Sequence, residues 1–404
     1  MSTAETFLMS ESASFEESLE WERAAQVLDV SPELLRSLRT PQMELVMRRP
    51  MVTSAGTEIV PIYGCSYGPA SNSTILSVNL GTAGSQRSAD AQARDLQMRA
   101  ALAGLQESAS AIAVRIPPET YSERELWMLA RECSSDLGRY FPRARLVAAD
   151  PPSAAFAAWM VHGELSPDLE FPRVPATEYY VANNNHVALS AVTLCASALN
   201  ACGKALRGSR VVIVGTQPLS RCVVEAFLQE GAAIVGIADE SGGLLLQAKD
   251  ELGDLWTHIE RSGLLAEYPG GEHVAYADVL STPADLLILA SGRTEITEGN
   301  AATVRATVLA ELVAPGLSSG AVDSLSAHGV TVLPATLLHS PCLLPRLSWS
   351  ARSASDDCAD VQNYLGRLWN ELENFSRRFK TPLHRSMVLL ALQRLAGWSA
   401  LARP

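Results

Sequence analysis

The spacing of apolar positions gives the two halves of the chain different rhythms. Phe15, Leu19, Ala24, Val27 and Leu28 recur at helical intervals, and Ser31-Pro32 opens a second helix with serine as N-cap and proline in the first turn. Residues 43–52 and 57–63 suit two strands joined by a turn at Ser54-Ala55-Gly56. Pro61 marks an edge or a bulge, because proline has no N–H to give a ladder. A strand over 74–80, a helix over 88–105 and a short strand over 109–116 follow. Another helix opens at Ser122, with Glu125 in the capping-box position. A strand over 144–149 then runs into Asp150-Pro151-Pro152.

From about Asn183 the pattern changes. A helix near 186–206, with Asn183-Asn-Asn185 as its capping loop, precedes the apolar run Arg210 to Gly215. Similar runs recur at 232–239, 285–290, 307–310 and 330–333, with helical stretches between them. Continuous apolar strands alternating with helices predict a parallel, doubly wound sheet. The tail, 355–400, reads as two amphipathic helices about the turn Lys380-Thr-Pro382. The expected class is α/β. An N-terminal α/β domain of oligomerisation or substrate type (1–182) precedes a Rossmann-like domain (183–350), and C-terminal helices (351–404) pack back on the first.

Composition narrows the chemistry. Of 404 residues, 47% are hydrophobic, enough to fill more than one core. No apolar run approaches the roughly 18 residues of a membrane span. Met1 to Ser14 carries Glu5 and Glu11 and no basic residue, unlike a secretory or transit peptide, so a cytoplasmic location is expected. A net charge of −12 without a Lys/Arg-rich run argues against nucleic acid. Seven scattered cysteines without a Cys-x-x-Cys suit reduced thiols, and no metal site is expected.

A dinucleotide site needs a strand, a glycine-rich turn and a helix start aimed at the pyrophosphate. Here the turn is Gly215-Thr-Gln217-Pro-Leu-Ser220. The first glycine is present. Gln217 stands where the backbone must approach the phosphates, and Ser220 stands where helix and strand pack closely. Asp239 ends the second strand at about the interval of a ribose partner. Two readings stay open: a Rossmann-like scaffold without cofactor, or NAD(P) held by Gly215, Gln217, Ser220 and Asp239.

Several strings, in order, resemble the glutamate/leucine/phenylalanine/valine dehydrogenases. They are Pro32 to Pro41, Ser122-Glu-Arg-Glu125, Ala158-Trp-Met160, Ala238-Asp-Glu-Ser-Gly-Gly243 and Ile296-Thr-Glu-Gly-Asn300. The resemblance implies hexamers assembled through the N-terminal domain and NAD(P)-linked amino-acid oxidation. It also implies a lysine that supports attack of water on the imino carbon, and Ala111 stands at that position. Arg99 stands for the lysine that binds substrate carboxylate, and Ile75 for a second one. Asp150 matches the proton-relay aspartate if one gap is allowed. His186-Val-Ala stands at the nicotinamide motif, and Leu338 to Cys342 at a further site loop.

A methyl side chain supplies no charge to a reacting carbon. The expected function is therefore a non-catalytic partner or regulatory subunit, joined to an active paralogue or to itself. The alternatives are an NAD(P)-linked oxidoreductase of altered chemistry, using Arg99, Asp150, His186 and Asp239, and a sensor of an amino acid or nucleotide. A Cys/His hydrolase built on His339 and Cys342 is the weakest alternative, because Pro341 makes the segment a loop.

Overall fold

The computed structural model describes residues 19–54, 56–68, 73–141, 143–148, 150–161, 169–170, 175–247, 252–344 and 354–401. The predicted first helix before residue 19, and residue 149, lie outside them. The chain divides into two units. The first is Ala25–Asn183, Cys342–Ala351 and Leu389–Pro404; the second is Met1–Ala24, Asn184–Pro341 and Arg352–Val388.

A helix over residues 19–28 (α1) and α2 (Pro32–Arg39) come first. Ser31 caps α2 by accepting the Leu34 amide at 3.2 Å, with Pro32 in the first turn. The first unit then builds a sheet from β1 (Met43–Thr53), β2 (Gly56–Tyr67), β3 (Thr74–Gly81), β4 (Ser108–Arg115), β5 (Ala144–Ala148) and β6 (Leu169–Glu170), in the order β1-β2-β4-β3-β5-β6. The β1–β2 and β2–β4 pairs are antiparallel and the others parallel. β4 joins β2 from Ile62 onward, so Pro61 lies where β1 is the only ladder partner and breaks no β2–β4 bond.

Strand alternation sends successive side chains to opposite faces. Ile62, Leu76, Ile112 and Val114 face α4 (Glu123–Tyr140) and α5 (Pro151–Val161). Cys65, Tyr67, Ala111 and Ala113 face α3 (Gln86–Ala103). The predicted capping box of α4 forms: Ser122 Oγ accepts the Glu125 amide, and Glu125 accepts the Ser122 amide at 2.8 Å. The sequence reading stopped at Pro151-Pro152 and missed α5. Prolines are tolerated in a first helical turn, so the pair starts the helix instead of barring it.

Helix α6 (Ala176–Ala201) starts ten residues before the predicted point, so Asn183–Asn185 lie inside it and form no capping loop. Asparagine costs roughly 0.7 kcal/mol per residue against alanine in a helix. Burial of Tyr179, Val187, Ala188, Ala191 and Leu194 outweighs that.

The second unit carries β7 (Arg210–Val214), α7 (Pro218–Gln229), β8 (Ala233–Asp239), β9 (Gly242–Leu245), α8 (Leu252–Ser262), β10 (Glu272–Val274), α9 (Tyr276–Leu280), β11 (Leu286–Leu289), β12 (Val308–Glu311), α10 (Ser319–Ala327), β13 (Thr331–Leu333) and α11 (Ala335–Leu338). Its sheet order is β10-β9-β8-β7-β11-β12-β13. The five predicted strands are parallel, as expected. β9 and β10 add an antiparallel edge that the sequence reading missed, because Gly242-Gly243 looks like a turn. A Cβ on Gly243 would lie 2.2 Å from the Val279 side chain, so glycine lets α9 pack there. Helices α12 (Ala354–Phe379) and α13 (Leu383–Leu401) close the chain about Lys380. Leu389, Leu390, Ala391 and Leu392 are all buried, so α13 is apolar on several faces and not amphipathic as predicted.

Candidate functional site

Ala111 sits in mid-β4, opposite Cys65 of β2 and Ser77 of β3, and is fully buried. It packs with Cys65, Tyr67, Ala89, Ala93 and Ala113. Ala89 and Ala93 come from α3, and neither is exposed. Four alanines thus bring the helix close to the sheet, and the space of a longer side chain at 111 is filled by protein. Beside this patch Asp90 accepts the Tyr67 hydroxyl, Arg94 Nη2 at 2.6 Å and the Cys65 thiol at 3.6 Å. Burial and then Asp90 push Cys65 up to about 12, and burial pushes the Tyr67 phenol up as well. Both therefore stay protonated at neutral pH.

Arg99 lies one helical turn beyond Asp95 on α3 and pairs with it. Ile75 is fully buried with Leu96, Ala100 and Ala109. Asp150 stands at the start of α5. Its Oδ1 accepts the Ser153 amide at 2.9 Å and its Oδ2 the Ser153 hydroxyl at 2.8 Å, while Ser153 Oγ accepts the Leu80 amide at 3.0 Å. These bonds make Asp150 a helix cap tied to β3. The Ala111 row of the sheet continues through Ser77 to Val147, three residues before Asp150. Strand rise makes that a separation of about 10 Å along β5, so Asp150 sits at the sheet's end while Ala111 sits at its middle.

In the second unit, Gly215 follows β7 with φ +115°, and a Cβ there would meet the Ala290 and Ser291 backbone at 2.7 Å. Only glycine fits that crossing. Gln217 is the N-cap of α7 and makes no side-chain capping bond; Pro218 takes the first helical position. Ser220 is fully buried and its hydroxyl has no hydrogen-bond partner. Asp239 ends β8 and is buried. Its Oδ1 accepts the Ser241 amide at 2.8 Å and the Ser241 hydroxyl, and its Oδ2 accepts the Leu265 amide at 2.8 Å. Ser241 Oγ in turn accepts the Ala266 amide at 3.0 Å. The carboxylate thus pins the segment after α8 across the end of β8.

His186 lies within α6. His339 donates from Nε2 to the Leu312 carbonyl at 2.8 Å. Burial pushes the Cys342 thiol up to about 12 although Arg99 pulls the other way, so no thiolate forms there near neutral pH.

Residues 182–339 match the family model of Glutamate/Leucine/Phenylalanine/Valine dehydrogenase. Over that stretch the chain is similar to that family. The NADP-specific glutamate dehydrogenase of Saccharolobus shibatae is 26% identical over 152 residues, which is 38% of this chain and 36% of that protein. That match spans only about a third of the relative's length. The glutamate dehydrogenase of Thermotoga maritima is 22% identical over 412 residues, 96% of this chain and 98% of that one. Among solved structures, the hetero-hexameric glutamate dehydrogenase from Thermus thermophilus, in a Leu bound form, matches with a TM-score of 0.83 at 21% identity. It covers 96% of this chain and 97% of its own, and the likeness is one of fold.

Sequence reasoning singled out Ala111, Arg99, Gly215 and Asp239 but not their neighbours. The partners of Asp239 had a signal: Asp-x-Ser is the pattern of a side chain bonding the backbone two residues on. The Asp90 cluster had none, since Cys65, Tyr67 and Asp90 meet only once β2 and α3 have packed. Among the described residues, no group of three or more His, Cys, Asp or Glu side chains could hold a metal ion. No described helix is long and apolar enough to cross a membrane.

Proposed function

We propose that this chain is a non-catalytic member of the glutamate dehydrogenase family, serving as a regulatory or partner subunit of an active amino-acid dehydrogenase in the cytoplasm. The observation that carries the reading is the burial of Ala111 under α3. A positioned acid or base contributes roughly 100- to 10,000-fold in rate, and alanine contributes none of it. Arg99, committed to Asp95, and Asp150, committed to Ser153, stand as remnants of substrate binding and proton relay. The residues of the β7–α7 turn do not fit NAD(P) held in the usual way. Gln217 puts an exposed side chain where the pyrophosphate would approach, and Asp239 already accepts three donors. The hetero-hexameric Thermus relative supports assembly with a second type of chain, or with further copies of this one.

The test is tagged recovery from the native cell together with a turnover assay. The expected result is co-purification with a catalytically complete paralogue and no amino-acid oxidation by the isolated chain. Turnover by the isolated chain near the usual enzymatic rate of about 10 per second would overturn the reading.

A further inference from the structure

The β1–β2 hairpin of the first unit is covered on one face more fully than on the other. Met47, Met51, Val60 and Ile62 turn inward to the core beneath α4 and α5. On the opposite face α3 covers Cys65 and Tyr67 of β2, with Tyr63 at its margin. Beyond that margin Val46 is 53% exposed, Val52 62% and Ile59 58%, and Pro50 is exposed among them. Pro50 lies opposite Ile59, and Val46 lies opposite Tyr63, so these positions form one apolar patch. A contiguous exposed apolar patch marks an interaction site.

β1 is also the end strand of its sheet, so its outer backbone edge has no ladder partner among the described residues. Such an edge pairs readily with another strand unless charge or proline blunts it. Here the charges are of opposite sign. Glu44 and Arg48 stand two residues either side of Val46 on the open face. Neither has an ion-pair or hydrogen-bond partner among the described residues. A two-fold axis through Val46 sets Glu44 of each chain against the partner's Arg48, and Val46 against the partner's Val46. An axis at Glu44 or at Arg48 would set like charges face to face, which is destabilising. Pro50 has no N–H to give, so the paired stretch ends at Arg49.

We propose that β1 pairs antiparallel with β1 of a second copy of this chain, in the register that places Val46 on the two-fold axis. Two six-stranded sheets then become one. The contact is independent of whether the chain turns over substrate or joins a catalytic paralogue.

Sedimentation of the purified full chain from roughly 1 to 100 μM measures its assembly. Glu44→Arg alone and Arg48→Glu alone are expected to halve the mass of that assembly, because each sets like charges opposite one another. The Glu44→Arg/Arg48→Glu double variant regains it. Under mild oxidation Val46→Cys links two chains through position 46. Val52→Cys does not, because its counterpart in this register is Thr40, before β1 begins. Peptide mapping places the bond, since Cys202 and Cys358 are also exposed. The four substituted positions are exposed, and an unchanged melting temperature certifies each variant. The cysteine pair decides alone if a charge variant unfolds. A parent still monomeric at the highest concentration, including one that takes up only a different chain from cell extract, overturns the proposal. So does a single charge variant of unchanged mass, a double variant that stays dissociated, or linkage through Val52→Cys in place of Val46→Cys.

Discussion

The backbone amide of Leu265 donates to the Asp239 carboxylate at 2.8 Å, across a separation of 26 residues. An aspartate that ends the second strand of a Rossmann-like sheet is here a fastener for its own chain. Asp239→Ala removes the acceptor of three donors, Ser241 N, Ser241 Oγ and Leu265 N. A buried donor left unpaired costs roughly 1–3 kcal/mol. We expect a stability loss of about 3 kcal/mol in urea unfolding, with no change in any dinucleotide response. A variant as stable as the parent would show that the network contributes nothing.

Ala111→Lys tests the sealed position directly. The new ammonium must either be buried among Cys65, Tyr67, Ala89 and Ala93 or force α3 off the sheet. Overpacking and an unpaired charge together should cost at least roughly 3 kcal/mol. Ala111→Met, which adds bulk without charge, should cost roughly 1–3 kcal/mol. Thermal unfolding of both variants, with an assay for glutamate oxidation, checks this; a lysine variant that melts with the parent, or gains turnover, refutes it.

Asp150→Ala should behave as the loss of a helix cap, costing about 1 kcal/mol in denaturant unfolding. Because Ser153 still holds the Leu80 amide, Asp150→Asn should retain most of that stability. Equal losses for alanine and asparagine would point away from capping.

His384 makes stability depend on pH. Burial, reinforced by Arg385 and opposed by Glu20 and Asp323, lowers its pKa to about 4 from an ordinary 6.5. The unfolded chain therefore takes up a proton near 6.5 that the folded chain refuses until about 4. Stability is whole above the upper value and falls as pH drops through this window. The linkage amounts to about 3 kcal/mol. Unfolding free energies at either end of the window should show the difference, and His384→Phe should flatten it.

Much of the fold was legible in the sequence, and the misses share a cause. The caps at Ser31 and Ser122 and the β7 strand before Gly215 are written in local residue order, so they could be read from it. Helix α6 was misplaced because three asparagines look like a loop until Tyr179 and Val187 are buried around them. β9 and β10 were missed because Gly242-Gly243 becomes a strand only with Val279 packed over it. At the site, sequence gave the identity of residue 111 but not its surroundings. The packing of Ala89 and Ala93 on it belongs to the tertiary structure.

The alanine patch between α3 and β4 also bears on which substitutions the chain tolerates. A lysine at 111 would meet methyl groups from 89, 93 and 113, and only glycine is smaller. Glycine at 89 or 93 weakens the helix by roughly 1 kcal/mol apiece. Each single step toward a charged centre thus carries a folding penalty before any chemistry is gained. Packing of this kind works as a ratchet that keeps residue 111 small.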